Sequence, residues 1–93
     1  MKINYDKIIE TYGEEIVYTL KEEIDSIEEN MKYLNSIGFE ETDIVDFFEC
    51  KPFLFCTYPS IFKDNTNKLI KKLGINYIDI ILEDINILDE IED

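Results

Sequence analysis

The chain has 93 residues, 45% of them apolar and 33% charged, a composition typical of one folded domain rather than a disordered segment. Its net charge of −13, with 9 lysines and no arginine or histidine, repels nucleic acids and anionic membranes and favours a basic protein partner. No apolar run approaches the roughly 20 residues that span a bilayer. Residues 1–7 lack the apolar core of a signal sequence and include an early acid, so we do not expect secretion or organelle import. We therefore expect a cytoplasmic protein that does not bind membranes.

One apolar pattern recurs along the chain at an interval of 36 residues. The segment I-N-Y-D-K-I-I at 3–9 shares five of its seven residues with I-N-Y-I-D-I-I at 75–81, which lies 72 positions later. A segment that begins at Phe39 lies midway and aligns with both. Intervals of this size are typical of helical repeats. The pattern predicts a single all-α domain over residues 1–93, a short solenoid-like bundle of about two and a half units. The predicted units are 3–38, 39–74 and 75–93.

Each unit is predicted to contain a short helix, a tight corner and a longer helix. In the first unit Asn4 is a candidate N-cap for a short helix that ends near Gly13. Apolar residues then recur at steps of three and four, which is typical of one long amphipathic helix. They are Ile16, Leu20, Ile24, Ile27, Met31 and Leu34. Gly38 and Gly74 are expected to close the longer helices of the first two units as left-handed caps.

In the second unit, a short helix through Phe47 is expected to end before Pro52, which lacks an amide donor. The dense apolar run at 53–58 is compatible with a strand when it is considered alone. The repeat interval favours a compact turn that leads into a helix ending at Gly74. The polar segment at 64–67 is the weakest part of that predicted helix.

The segment L-N-S-I-G-F-E-E-T-D-I-V-D-F-F-E-C-K-P-F-L at 34–54 resembles the repeat of the mitochondrial transcription termination factor (mTERF) family. The resemblance rests on Leu34, Ile37, Gly38, Phe39, Ile44, Pro52 and Leu54, and in the next copy on Leu73, Gly74, Ile75, Ile80 and Ile81. It implies a curved α-helical solenoid that binds nucleic acid along a basic groove and acts in transcription or its regulation. The chain departs from that family in having fewer units, a proline in only one unit and no arginine.

No combination of residues in the sequence points to catalysis. The chain has no histidine and no glycine-rich phosphate loop. Acidic pairs such as Glu22–Glu23 fall on the polar face of a predicted helix, where a solvated surface explains them. Cys50 and Cys56 are expected to be free, buried thiols in a reducing compartment. We expect a protein that is not an enzyme and has no catalytic, cofactor-binding or metal-binding residues.

Charge is distributed unevenly, with +4 over residues 51–74 between −10 before and −7 after. If the chain binds nucleic acid, the lysines of the second unit are the candidate phosphate contacts. They are Lys63, Lys68, Lys71 and Lys72. An intramolecular role explains them better, because a basic helix between two acidic units is attracted to both.

The apolar residues at the end of the third unit are a candidate protein interface, since exposed apolar surface usually marks one. They are Ile85, Leu88 and Ile91. We expect a homodimer through these residues, or alternatively a tail that folds back over its own core. The sequence thus favours a non-catalytic, acidic, α-helical protein-interaction module that can self-associate or bind a basic partner. A nucleic-acid-binding, mTERF-like protein is the alternative.

Overall fold

The computed structural model describes residues 3–92, which form six α-helices and two 3₁₀-helices, and this part of the chain contains no strand. In chain order the elements are α1 (Tyr5–Tyr12), α2 (Ile16–Glu22), α3 (Ile24–Ser36), α4 (Glu41–Cys50), the first 3₁₀-helix (Pro52–Cys56), α5 (Pro59–Leu73), α6 (Tyr77–Glu83) and the second 3₁₀-helix (Ile85–Glu90). The predicted all-α fold class is therefore confirmed.

Helix α3 lies at the centre and packs against α2, α4, α5 and the first 3₁₀-helix. Its apolar face is buried in a core whose aromatic rings come from successive elements. Phe55 lies 5.6 Å from Phe48 and 5.7 Å from Phe62, measured between ring centroids. The radius of gyration is 12.8 Å, close to the roughly 12 Å expected for a compact domain of this length.

The long helix predicted from residue 16 onwards is interrupted at Glu23, whose φ and ψ are −102° and 15°. Hydrogen bonds continue across the interruption, from the Glu23 amide to Thr19 and from the Ile27 amide to Glu23. The result is a local distortion in which Ile24 becomes partly exposed while the other apolar positions of the predicted face stay buried. The periodicity located the buried face correctly but did not predict the interruption.

Gly38 ends α3 in a conformation that glycine adopts most easily, with φ of +116°. The Phe39 amide donates to the Leu34 carbonyl and the Gly38 amide donates to the Asn35 carbonyl, both at 3.2 Å. These two bonds form a Schellman motif. Gly74 also has positive φ, but its ψ of −163° lies outside the left-handed helical region, and only its own amide bonds back, to Ile70. The two caps predicted to be equivalent therefore differ.

The apolar run after Pro52 forms a 3₁₀-helix rather than the alternative strand. Helix α5 continues without a break through its polar middle. There Thr66 is buried, and its hydroxyl donates to the Phe62 carbonyl at 2.7 Å. This bond satisfies the polar group without disturbing the helix.

Helices α1, α4 and α6 begin at Tyr5, Glu41 and Tyr77, so successive starts are 36 positions apart. Each is followed by a short helical element. No helix within residues 3–92 has both the length and the apolar character needed to cross a bilayer.

Candidate functional site

The predicted exposure of the apolar tail is wrong for two of its three residues. Leu88 and Ile91 have no exposed surface, and Ile85 is half-buried against the same core. The second 3₁₀-helix turns the chain back over the molecule, as in the alternative of a folded-back tail. The surface on which the homodimer was predicted is therefore not exposed in this structure.

Polar contacts hold that tail in place. Asp89 pairs with Lys51 and Glu90 pairs with Lys72, each at 2.8 Å, and the Asn65 side-chain amide donates to the Ile91 carbonyl at 3.0 Å. The Lys72–Glu90 pair is exposed on both sides and contributes under about 1 kcal/mol, whereas in the other pair the Lys51 side chain is only 18% exposed. Burial of a large aliphatic side chain contributes roughly 1.5–3 kcal/mol, so the apolar contacts hold the tail more strongly than the charges.

The four candidate lysines all lie on α5, but they do not form one open surface. Lys72 is paired with Glu90, and Lys68 lines the same small crevice as that pair. The ammonium of Lys63 lies on a different side, 5.6 Å from the centre of the Tyr33 ring. Lys71 is exposed, and no carboxylate of residues 3–92 lies within 4.0 Å of Lys68 or Lys71. Two of the four lysines therefore contact groups of the same molecule.

An open groove of about 700 Å³ lies between α3 and the start of α5. Its lining combines carboxylates, tyrosines and lysines. The residues are Asp25, Ser26, Glu29, Asn30, Lys32, Tyr33, Tyr58, Pro59, Ser60 and Lys63. Sequence reasoning missed this groove, because its two sides belong to helices whose packing no local pattern specifies.

Asn30 forms the buried floor of this groove and is only 1% exposed. Its side-chain amide donates to the carbonyls of Phe55 and Thr57, at 2.9 and 2.8 Å. The two bonds tie α3 to the segment that leads into Tyr58. A signal in the sequence could have indicated the burial, since Asn30 lies three residues after Ile27 and four before Leu34, on the apolar face of α3.

Tyr33 and Tyr58 differ in how they are held. The Tyr33 hydroxyl donates to the Asn67 side chain, and burial raises the pKa of this hydroxyl above its ordinary value. Tyr58, by contrast, is 68% exposed. The groove therefore has one fixed ring and one ring that a ligand can reach.

The two cysteines are free thiols, as predicted, although neither is fully buried. Cys50 is exposed and Cys56 is half-buried. Burial, with a smaller contribution from Glu23, raises the pKa of the Cys56 thiol to about 11. A thiol with so high a pKa is a poor nucleophile at neutral pH. Among residues 3–92 no group of three or more acidic or cysteine side chains could hold a metal ion.

No protein-family model, no curated protein and no solved structure matches the chain.

Proposed function

We propose that the chain is a non-catalytic, acidic, α-helical module that binds a basic protein partner. The net charge of −13 is the observation that carries this proposal. The ion pairs of Lys51 and Lys72 each neutralise one carboxylate as well as one ammonium, so they leave the excess of negative charge unchanged. Long-range attraction then favours approach of a positively charged partner.

Titration of the purified chain with basic peptides, followed by calorimetry at low and high salt, tests this function. We expect binding that weakens as salt screens the charges. Peptides of the same length and composition with glutamate in place of the basic residues serve as the control and should not bind. Absence of binding to every basic peptide at low salt would refute the basic partner.

The alternative function is an mTERF-like nucleic-acid-binding repeat protein that acts in transcription or its regulation. The 36-residue spacing of the starts of α1, α4 and α6 supports a repeat, and the lysines of α5 would supply phosphate contacts. If the chain is such a repeat protein, residues 39–55 should superpose on residues 75–91. A gel shift at low salt tests whether the chain binds nucleic acid. Micromolar binding that is lost when Lys68, Lys71 and Lys72 are changed to Glu would favour the nucleic-acid function over the protein-interaction function.

We also propose that the chain can self-associate, through a surface other than the buried tail. Exposed apolar side chains on other elements, such as Tyr18 and Leu82, are available. Sedimentation across a range of protein and salt concentrations tests it, and higher salt should favour association because it screens the repulsion between two acidic chains.

A further inference from the structure

We propose that the C-terminal tail, residues 85–92, exchanges between two copies of the chain, so that the tail of each copy occupies the surface that the other copy's tail covers in this structure. Such domain swapping conserves the contacts between tail and body and closes a two-fold dimer. The inference does not depend on the basic partner proposed above. It also differs from the proposed self-association through exposed side chains, in which both tails stay on their own chains.

The tail lies on a surface formed by α5 and by the segment that leads from α4 into the first 3₁₀-helix. This tail-binding surface comprises Lys51, Leu54, Asn65, Lys68, Leu69 and Lys72. Leu88 and Ile91 of the tail are fully buried in the core. The Asn65 side chain donates to the Ile91 carbonyl at 3.0 Å, so the surface also binds the backbone of the tail. It is therefore a peptide-binding site that the chain's own C-terminal segment fills.

The charges at this site favour an acidic segment. Three lysines line its two crevices, and the carboxylates that line the same crevices all belong to the tail. Lys51 pairs with Asp89 and Lys72 pairs with Glu90, each at 2.8 Å. Because the Lys51 side chain is only 18% exposed, loss of its partner would leave a largely buried cation without a carboxylate. An empty site is therefore unfavourable, and a segment that refills it has to be both apolar and acidic.

A second copy of the chain supplies such a segment without any new kind of contact. Its tail has the same sequence, with Asp89 and Glu90 between the apolar residues Leu88 and Ile91. Each copy that gives up its tail also receives one, so neither site stays empty. The balance between monomer and dimer then depends on protein concentration.

The tail can also move as one piece. Among the described residues, the backbone–backbone hydrogen bonds of the tail all close within 84–92. Asp84, which joins the tail to α6, has an extended conformation with φ of −141° and ψ of 91°. A change of φ at Asp84 redirects the tail and leaves those bonds intact. One hinge residue is therefore sufficient for the exchange.

Charge reversals placed in separate chains test the exchange. The surface variant carries Lys51→Glu and Lys72→Glu. The tail variant carries Asp89→Lys and Glu90→Lys. Each variant places like charges together within its own chain, whereas exchanged tails bring opposite charges together at both sites. When the two full-length variants are refolded together from urea, we expect a mixed dimer that is at least about tenfold tighter than the dimer of either variant alone, measured by sedimentation equilibrium.

Two controls separate exchange from net charge and from misfolding. The variant Glu28→Lys with Glu29→Lys, at exposed positions of α3, changes the net charge as much as the tail variant does and should form no such dimer with the surface variant. A single chain that carries all four reversals restores opposite charges within itself, and its circular dichroism should match that of the wild type. Net charge alone would instead favour association of the tail variant with itself, because it is the less acidic of the two.

A measurement on the wild-type chain decides the question even if a variant fails to fold. Labelled and unlabelled chains are refolded together at high concentration, and isotope-filtered nuclear Overhauser spectra should show contacts between the tail of one copy and α5 of another. A sample with contacts only within each chain would refute the exchange. So would intermolecular contacts that lie away from the tail, or folded variants that associate no more tightly together than separately. In each of these cases the basic-partner function is unaffected.

Discussion

Replacement of Asn30 should destabilise the domain strongly, although the residue is polar. Its amide makes two buried bonds, at 2.9 Å to the Phe55 carbonyl and 2.8 Å to the Thr57 carbonyl. Each bond contributes about 0.5–1.5 kcal/mol, and a buried acceptor left without a donor costs about 1–3 kcal/mol. We therefore expect Asn30→Leu, which keeps the number and branching of the side-chain heavy atoms, to lower the free energy of unfolding by roughly 2–4 kcal/mol.

Urea denaturation followed by far-ultraviolet circular dichroism measures this loss. For a slope of about 1.3 kcal/mol/M, the midpoint should fall by roughly 1.5–3 M. Asn76→Ala is the matched control, because the Asn76 side chain makes no capping bond, and it should change stability by under about 0.5 kcal/mol. A midpoint for Asn30→Leu within 0.3 M (about 0.4 kcal/mol) of the wild type would refute the assigned role of these bonds.

The variant Asn30→Asp adds a charge test at the same position. A carboxylate there would face two carbonyl oxygens, and we expect a raised pKa in the folded state, because burial and acceptor neighbours disfavour ionisation. The unfolded state then binds fewer protons than the folded state as pH rises above about 4, so stability should fall with increasing pH. Below that pH the protonated acid can donate one of the two lost hydrogen bonds, so the variant should be more stable than Asn30→Leu and less stable than the wild type. No difference in pH dependence from the wild type would contradict this reasoning.

Three further predictions concern other parts of the fold. Gly38→Ala should cost about 1–3 kcal/mol in urea denaturation, since φ is +116° and an added Cβ would lie 2.8 Å from the Ile78 side chain, whereas Gly74→Ala meets no atom within 4 Å and should cost less. A thiol reagent at pH 8 should modify exposed Cys50 much faster than Cys56. The Cys56 pKa of about 11 leaves roughly one thiolate in a thousand at that pH. Equal rates of modification would contradict the partial burial of Cys56. Leu88→Asp should unfold the chain or lower its free energy of unfolding by at least about 3 kcal/mol, because Leu88 is fully buried. A variant that stays folded and loses only self-association would show that Leu88 is an interface residue instead.

The helices could be predicted from the sequence because local periodicity and chain-breaking residues encode them. The spacing that aligned Ile3 with Ile75 also predicted the starts of α4 and α6, and Pro52 marked the end of α4. The repeat itself stays a proposal, since the ends of α3 and α5 differ in their hydrogen bonds.

The candidate sites were less predictable, because they depend on contacts between distant segments. The burial of Leu88 results from a 3₁₀-helix that apolar spacing alone did not distinguish from an exposed tail. The uneven charge predicted attraction between the basic segment and the acidic segments on either side, but it did not predict that Asp89 pairs with Lys51. The groove requires the relative placement of α3 and α5, which no local pattern contains.

The end of α3 also determines how far the chain can be divided. The Tyr77 hydroxyl donates to the Ile37 carbonyl, and the Ile78 side chain lies over Gly38, so the end of the first predicted unit and the start of the last meet directly. In long solenoids each unit contacts only its neighbours, and removal of an internal unit leaves the remainder folded. Here, excision of an internal block of 36 residues would remove α4 and α5, on which both of the remaining thirds pack. We therefore expect the chain to unfold as one cooperative unit, and we expect that deletion of residues 39–74 would unfold the remainder.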